Sequence, residues 1–251
     1  MSGRTERVMR TAARGLLGTV GRASKGVRIG HRHGFDSALA HDYVYANTPH
    51  GLLGVLGAGR LVDRAYLGAR EARALRARYA LLQRMLREEI AGRGGEIVVL
   101  DAASGPGRCL QDLVAEEQPG GQLRVVCRDV APEALARGRR LARERGLPPG
   151  ALTFEWGDAL DPAPLPGGLR PDLVVVPGLY ERIADGETVR ASLEALRALL
   201  APGGTLLFTA RRGRPADEAG IWPVKAGFAE DAVSSRREAS GRFSVTRCAT
   251  V

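Results

Sequence analysis

The stretch Val98-Val99-Leu100-Asp101-Ala102-Ala103-Ser104-Gly105-Pro106-Gly107 is an apolar run that ends in an acid and continues into a Gly-Pro-Gly turn. A short run of apolar and β-branched residues is typical of a strand buried inside a parallel sheet. Glycines directly after such a strand let the backbone approach a ligand where a Cβ atom would collide with it. The stretch therefore predicts a first strand followed by a loop that binds a nucleotide-like cofactor.

Length and composition place the chain among globular proteins. Its 251 residues are 44% hydrophobic and 26% charged, enough for one core with a small appendage. No apolar run reaches the ~18 residues of a membrane span, and the N-terminus lacks the sustained apolar segment of a signal peptide. Three widely spaced cysteines, Cys109, Cys127 and Cys248, fit neither a disulfide framework nor a zinc site. We predict buried thiols, no bound metal and a cytoplasmic protein.

Positive charge is concentrated at the N-terminus. Residues 1–35 contain eight Lys or Arg and one acid, a net charge of +7, whereas the remaining 216 residues carry +2. A basic, glycine-rich arm is typically flexible or laid across its own domain. As an alternative, the arm binds an anionic membrane surface peripherally, with an apolar stripe between Val8 and Val20. Nucleic acid is disfavoured, because no aromatic residues interleave with the basic ones.

Residues 36–95 have the apolar spacing of helices. Between residues 69 and 91 apolar side chains recur at three- and four-residue steps, the opposite face carries Arg and Glu, and Gly92 supplies a stop signal. We predict a helical cap over residues 36–95, between the basic arm and a main domain at residues 96–251.

From residue 96 onward strand and helix patterns alternate, which is typical of a parallel sheet covered by helices on both faces. The last two apolar segments are joined by a turn too short for a crossover helix, so they should pair as an antiparallel hairpin at the sheet edge. The predicted fold class is α/β, a seven-stranded, mostly parallel sheet with this C-terminal hairpin. Strands are expected at 96–101, 122–128, 151–155, 172–176, 204–209, 228–237 and 241–249, and helices at 108–117, 132–145 and 188–200.

Four motifs follow one another along this sheet. They are Leu100 to Gly107 at the first strand, Arg128-Asp129-Val130-Ala131-Pro132 at the end of the second, Gly157-Asp158-Ala159 after the third, and Leu200-Ala201-Pro202-Gly203-Gly204 before the fifth. This order resembles the class I methyltransferases that use S-adenosylmethionine. The resemblance covers about residues 96–251 and implies a Rossmann-like fold, S-adenosyl-L-methionine as cofactor, and methyl transfer as the activity.

Further motifs lie upstream of the sheet and after its fourth strand. Asp42-Tyr43-Val44-Tyr45, the segment from Arg60 to Leu67, and Gly178-Leu179-Tyr180-Glu181 are similar to a bacterial methyltransferase family that sometimes occurs fused to an α/β-hydrolase. They extend the resemblance to about residues 36–251.

The acids fit the polar groups of S-adenosylmethionine. Asp129, 22 positions after Gly107, suits the two ribose hydroxyls, and Asp158, 29 positions further on, suits the adenine amino group. The glycines would let the methionine portion pass over the turn, while Asp101 would hold the loop or receive the ammonium group through water. The complete predicted set for the cofactor is Tyr43, Arg64, Asp101, Ala103, Gly105, Gly107, Asp129, Val130, Asp158, Ala159 and Pro177.

Methyl transfer from a sulfonium is an in-line displacement that needs alignment more than covalent help. An acceptor oxygen that carries a proton also needs a general base. Glu181, Tyr180 and His41 are the candidate catalytic residues. A carboxylate or an amine that is already unprotonated needs no base, so the predicted acceptor is an oxygen or nitrogen of a small molecule, with a lipid head group as the alternative.

Two other classes of protein compete with this interpretation. A dinucleotide dehydrogenase needs a small residue at the end of Gly-x-Gly-x-x-Gly, where this chain has Leu110, so NAD is disfavoured. A methyltransferase-like binding protein without activity stays open, since fold alone does not establish catalysis.

The segment between Thr209 and Phe228 departs from the family pattern. It has 18 residues and is interrupted by Gly213, Pro215, Gly220 and Pro223, which predicts that the usual helix before the hairpin is shortened or lost. The acceptor pocket would then be more open, covered by the cap, or completed by a second chain in a homodimer.

Overall fold

The computed structural model describes residues 24–50, 58–116 and 123–250. The chain divides into two compact units, Met1–Arg76 and Ala77–Val251. The described part of the first unit is helical, with α1 (Lys25–His33), α2 (Ala38–Ala46) and α3 (Ala58–Gly68). Helix α4 (Arg70–Ala91) begins in the first unit and continues into the second. This division falls within α4, whose later residues contribute to the core of the sheet, and the predicted boundary at residue 95 stays a prediction.

Part of the basic arm is folded. Helix α1 begins inside it, and the Ser24 hydroxyl caps the helix by accepting a hydrogen bond from the Val27 amide at 3.1 Å. At the other end, Gly34 has a φ of 92° and its amide donates to the Gly30 carbonyl at 2.9 Å. Residues 25–33 of the arm thus form a capped helix, while flexibility of the arm stays a prediction. The proposed membrane-facing stripe from Val8 to Val20 lies outside the described residues.

The second unit is built on a seven-stranded sheet in the order β3-β2-β1-β4-β5-β7-β6. The first five strands are parallel, β7 is antiparallel to β5, and β6 is antiparallel to β7. This arrangement confirms the predicted fold class. The strands are β1 (Ile97–Asp101), β2 (Leu123–Asp129), β3 (Leu152–Trp156), β4 (Leu173–Val176), β5 (Thr205–Arg211), β6 (Val233–Arg237) and β7 (Phe243–Ala249).

Strand β6 begins at Val233 and not at Phe228 as predicted. A 3₁₀ turn at Glu230–Ala232 precedes it. The apolar character of Phe228 belongs to the core, where its side chain is 3% exposed, and not to a strand. The other predicted strand ends shift by one or two residues.

Helices cover both faces of the sheet. The helices are α5 (Arg108–Glu116), α6 (Pro132–Glu144) and α7 (Gly186–Leu199). On one face α7 packs Val189 and Leu193 against the strands. On the other face α4 and α5 pack Leu86 and Leu113 against them, and α6 lies against β2 and β3. Because both faces are covered, all five residues of β1 are buried, and the strand is a continuous apolar run ending in an acid.

The segment between β5 and β6 is short, as predicted. It holds a 3₁₀ turn at Pro215–Asp217 and the one-turn helix α8 (Trp222–Lys225). The Trp222 ring lies against Gly186 at the start of α7, where a Cβ atom would come within 2.1 Å of it. Helix α8 therefore packs against α7, which covers one face of the sheet. Within the described residues, no helix is long and apolar enough to cross a membrane.

Candidate functional site

The carboxyl ends of the parallel strands bring three predicted acids to one edge of the sheet. The register places Asp101 beside Cys127 and Val175, and Asp129 beside Trp156. Asp158 follows β3 by two residues. Strand β1 lies between β2 and β4, so the chain crosses to opposite sides of β1, and a ligand crevice is expected at this reversal of strand order.

Asp129 joins the loops that follow β1 and β2. Its Oδ2 accepts a hydrogen bond from the Gly105 amide at 2.7 Å, and its Oδ1 accepts one from the Ala131 amide at 2.9 Å. Asp129 therefore holds the loop through the Gly105 amide, and a loop-holding role for Asp101 stays a prediction. Each carboxylate oxygen can accept two hydrogen bonds, so this half-buried group retains capacity for the hydroxyls of a ligand.

Asp101 is fully buried beneath the same edge. Neither of its oxygens has a well-formed hydrogen bond within the described part of the chain. Burial raises the pKa of this carboxyl well above its ordinary value, the Asp129 charge adds to the rise, and the nearby Ala103 amide offsets it only in part. Buried polar atoms are almost always partnered in folded proteins. Asp101 is thus a polar group that a ligand or a water molecule at this edge would satisfy.

The conformation of the glycine loop, residues 105–107, depends on the residues that pack beneath it. Gly105 and Gly107 have φ values of 55° and 69°. A Cβ atom on Gly107 would lie 2.9 Å from the Cys127 sulfur, so packing on the sheet requires this glycine. The fully buried Gln111 amide donates to the Pro106 carbonyl at 2.8 Å and to the Gly138 carbonyl at 3.1 Å. Gln111 was not predicted, since only the fold brings it under the loop.

The third predicted acid, Asp158, lies in a turn with exposed apolar neighbours. Its Oδ1 accepts a hydrogen bond from the Leu160 amide at 2.9 Å. Val130, Trp156 and Leu160 are 54%, 68% and 38% exposed, high values for large apolar side chains. They directly follow Asp129 or flank Asp158 in the chain. Exposed apolar side chains next to carboxylates suit a flat ring with polar edges.

The remaining predicted residues of the second unit also lie along this edge. Ala103 and Pro177 are half-buried and follow β1 and β4, and Ala159 is buried directly after Asp158. The Gly178 amide, next to Pro177, donates to the Thr209 hydroxyl on β5 at 2.7 Å. This bond fixes the start of the segment that follows β4.

Two of the predicted catalytic residues make structural contacts instead of facing solvent. Tyr180 is fully buried, and its hydroxyl lies 2.7 Å from the Ser192 hydroxyl. Burial raises the pKa of Tyr180, which keeps the phenol protonated and unsuited to act as a base. Glu181 forms a buried ion pair with Arg78 on α4. The catalytic role predicted for Tyr180 does not fit this position, while a role for Glu181 stays a prediction that requires its ion pair to open.

One predicted residue of the first unit, Tyr43, contacts a buried carboxylate, Asp63. Asp63 accepts hydrogen bonds from the Ser24 hydroxyl at 2.6 Å, the Gly26 amide at 2.8 Å and the His50 amide at 2.7 Å, and the Tyr43 hydroxyl also donates to it. Burial and the Asp63 carboxylate raise the pKa of Tyr43. Tyr43 therefore helps to join α1, α2 and α3.

Arg64 and His41 occupy other positions in the first unit. Arg64 is exposed on α3, and the half-buried His41 ring lies 6.2 Å from the Tyr45 ring on α2. Their predicted roles, and a cofactor role for Tyr43, stay predictions.

We expect Asp63→Ala to destabilise the first unit by about 3 kcal/mol, because four donors lose their common acceptor in a buried site. Faster amide hydrogen exchange in residues 24–50 would report the loss. Asp36→Ala removes an exposed acid of the same unit and should leave exchange unchanged. Equal exchange in the two variants would show that the Asp63 hydrogen bonds add no stability.

The three cysteines are buried free thiols, as predicted. Burial and the charge of Asp101 raise the pKa of both Cys109 and Cys127, which keeps them protonated and unreactive. Within the described ranges, no cluster of three His, Cys, Asp or Glu side chains is placed to hold a metal ion.

Comparison with known families identifies the family of this chain. Residues 3–219 match a family described as "Putative methyltransferase". The chain belongs to this family. One relative, the uncharacterized protein YnbC of Escherichia coli K12, is 36% identical over 213 residues, which are 83% of this chain and 35% of YnbC. The chain thus spans about a third of the length of that family relative.

Solved structures confirm the fold. A possible exported protein from Bordetella parapertussis superposes with a TM-score of 0.66 at 18% identity, over 85% of this chain and 79% of that one. The glycopeptide N-methyltransferase MtfA gives 0.55 at 16% identity, over 69% and 90%. The N-methyltransferase NodS from Bradyrhizobium japonicum WM9, in complex with S-adenosyl-L-homocysteine, gives 0.51 at 18% identity, over 70% and 87%. The chain therefore shares its fold with these two N-methyltransferases.

Proposed function

We propose that this chain is an S-adenosylmethionine-dependent methyltransferase that acts on an oxygen or nitrogen of a small molecule in the cytoplasm. The observation that carries the proposal is Asp129, which holds the glycine loop through the Gly105 amide and keeps acceptor capacity at the carboxyl end of β2. Family membership and the fold shared with MtfA and NodS support it.

The residues at the sheet edge fit the parts of S-adenosylmethionine. Asp129 would accept hydrogen bonds from the ribose hydroxyls, and Asp158 would accept them from the adenine amino group. Val130 would lie against the adenine ring. The Asp101 carboxyl, which has no well-formed hydrogen bond among the described residues, suits the methionine ammonium, directly or through water. The cofactor, when bound, supplies an electrophilic methyl group on its sulfonium.

The contribution of the protein to the reaction is then alignment. The phenol of Tyr180 is buried and hydrogen-bonded, and the Glu181 carboxylate is paired with Arg78, so both lack the exposure that a general base needs. We therefore propose an acceptor whose nucleophilic atom arrives unprotonated, a carboxylate or an amine. Holding such an atom in line with the sulfonium methyl removes much of the entropic barrier.

A lipid head group is the alternative acceptor, supported by the +7 charge of residues 1–35. The hydrogen bonds of the first unit decide which truncation can test the lipid alternative. Ser24 and Gly26 donate to Asp63, so a truncation that preserves the first unit should remove residues 1–23 only. A homodimer that covers the short segment between β5 and β6 remains part of the proposal.

Calorimetric titration and labelling test the proposal together. We expect S-adenosylmethionine and S-adenosylhomocysteine to bind with micromolar dissociation constants, and untargeted mass spectrometry of extracts given methyl-labelled cofactor to show label in a small metabolite. Absence of binding would refute the proposal. Binding without any labelled product would favour the non-catalytic alternative, and label in lipids that disappears on removal of residues 1–23 would favour the membrane alternative.

A further inference from the structure

The Asp158 loop, residues 157–165, is held from below by a chain of buried hydroxyl groups. The Ser192 hydroxyl on α7 donates to the Ala159 carbonyl at 2.6 Å, and the Tyr180 hydroxyl lies 2.7 Å from Ser192. Tyr180 and Ser192 are fully buried, and Ala159 is 4% exposed. No motif in the sequence indicated Ser192.

The chemistry of these groups fixes the direction of the chain. A carbonyl oxygen only accepts, so Ser192 must use its single proton for Ala159. The Ser192 oxygen must then accept a hydrogen bond from the Tyr180 hydroxyl. The Tyr180 ring also packs edge-on against Phe208, with centroids 5.5 Å apart. Tyr180 follows β4 and Ala159 follows β3. The chain therefore connects the loops at two strand ends of the candidate site.

A second buried side chain holds the other end of the Asp158 loop. Arg128 on β2 is 7% exposed, and its guanidinium donates to the Ala163 carbonyl and, at 3.2 Å, to the Pro164 carbonyl. It also forms an ion pair with Glu155 at 2.7 Å. A Cβ atom on Gly157 would lie 2.7 Å from the Arg128 side chain, which explains the glycine that precedes Asp158.

We infer that Ser192, Tyr180 and Arg128 are positioning residues that fix the Asp158 loop for recognition of the adenine amino group. The inference rests on the proposed function, in which Asp158 accepts that amino group. A loop held at both ends presents the carboxylate without the entropy cost of ordering it at each binding event. The Ser192 hydroxyl, supported by Tyr180, and the Arg128 guanidinium both end on carbonyls of one short loop. Buried polar groups of this kind are otherwise costly, since each must be kept satisfied.

The test compares two ligands that differ only at the adenine edge. These are S-adenosylhomocysteine and its inosine analogue, which has an oxygen in place of the 6-amino group. We expect the wild-type protein to prefer the adenosine ligand and Ser192→Ala to reduce that preference about tenfold. Tyr180→Phe, which leaves the bond from Ser192 to Ala159 in place, should reduce it less.

The matched control is Ser244→Ala. Ser244 lies on β7, in a different part of the sheet, and is also fully buried. Its hydroxyl donates to Asp217, in the 3₁₀ turn after β5, at 2.8 Å. Its loss should lower thermal stability to a similar extent and leave the ligand preference unchanged. If Ser192→Ala does not fold, the smaller change in Tyr180→Phe decides the question.

The outcomes separate the inference from the function on which it rests. A wild-type protein that binds neither ligand overturns the proposed function, and the inference with it. A wild-type protein that prefers the adenosine ligand, with the same preference in Ser192→Ala and Tyr180→Phe, overturns the inference alone. Equal wild-type affinity for the two ligands also overturns it, because Asp158 then does not recognise the amino group.

Discussion

Asp129→Ala is expected to raise the dissociation constant of S-adenosylmethionine at least about 100-fold, because two hydrogen bonds from the ribose to a charged acceptor are lost. The same change releases the glycine loop, since the Gly105 amide loses its acceptor at 2.7 Å. Both effects act in the same direction. Calorimetric titration with S-adenosylmethionine and S-adenosylhomocysteine measures the combined loss.

Asp172→Ala is the matched control for this prediction. Asp172 is also half-buried, and it accepts a hydrogen bond from the Val98 amide at 2.8 Å. This bond lies near the start of β1, at the end of the parallel strands opposite to Asp129. Removal of Asp172 should cost stability without changing affinity for the cofactor. Asp129→Asn, which keeps one acceptor oxygen, should fall between wild type and Asp129→Ala. Unchanged affinity in Asp129→Ala would refute the ribose assignment and leave Asp129 as a loop anchor only.

Asp101→Asn is expected to have opposite effects on stability and on binding. Burial raises the pKa of Asp101 in the folded protein above its unfolded value, so the folded state holds its proton to higher pH. The free energy of unfolding therefore falls as pH rises from the unfolded pKa to the folded pKa, and stays lower above it. Asparagine removes this penalty. We expect the variant to be about 1–2 kcal/mol more stable than wild type at neutral pH, with the difference vanishing in acid.

Cofactor binding should weaken in the same variant, because a neutral amide cannot offset the methionine ammonium. Urea unfolding across the pH range, with titration of S-adenosylmethionine, measures both effects. Asp231→Asn removes an exposed acid and should change neither. A variant with lower stability and unchanged affinity would show that Asp101 has a structural role and no ligand.

Several features were predictable because they depend on short-range pattern. The buried run of β1, the glycines after it, and the alternation of strands and helices each have a local signature. The antiparallel hairpin was predictable from the short turn between its strands. Acids at the carboxyl ends of parallel strands must share an edge, so Asp129 and Asp158 were placed correctly before their contacts were known.

Other features depend on which distant residues meet. Tyr180 and Glu181 follow a strand, as substrate-facing residues often do, yet Ser192 and Arg78 draw them into buried contacts. Their partners are 12 and 103 positions away in the chain. The folded start of α1 depends similarly on Asp63, which is 39 positions from Ser24. The spacing of apolar residues along the sequence does not indicate such pairs of distant residues.

The sequence by itself determined the α/β class, the antiparallel C-terminal hairpin, and the edge of the sheet where the acids gather. Apolar spacing and glycine positions encode these directly, because burial and turn geometry act on neighbouring residues. Only the tertiary structure decided that Asp129 accepts the Gly105 amide, that Asp101 is buried without a well-formed hydrogen bond among the described residues, and how the Asp158 loop is anchored. Those outcomes depend on the register between strands and on packing of helices over them, which place hydrogen-bond donors from distant segments within reach of each acid.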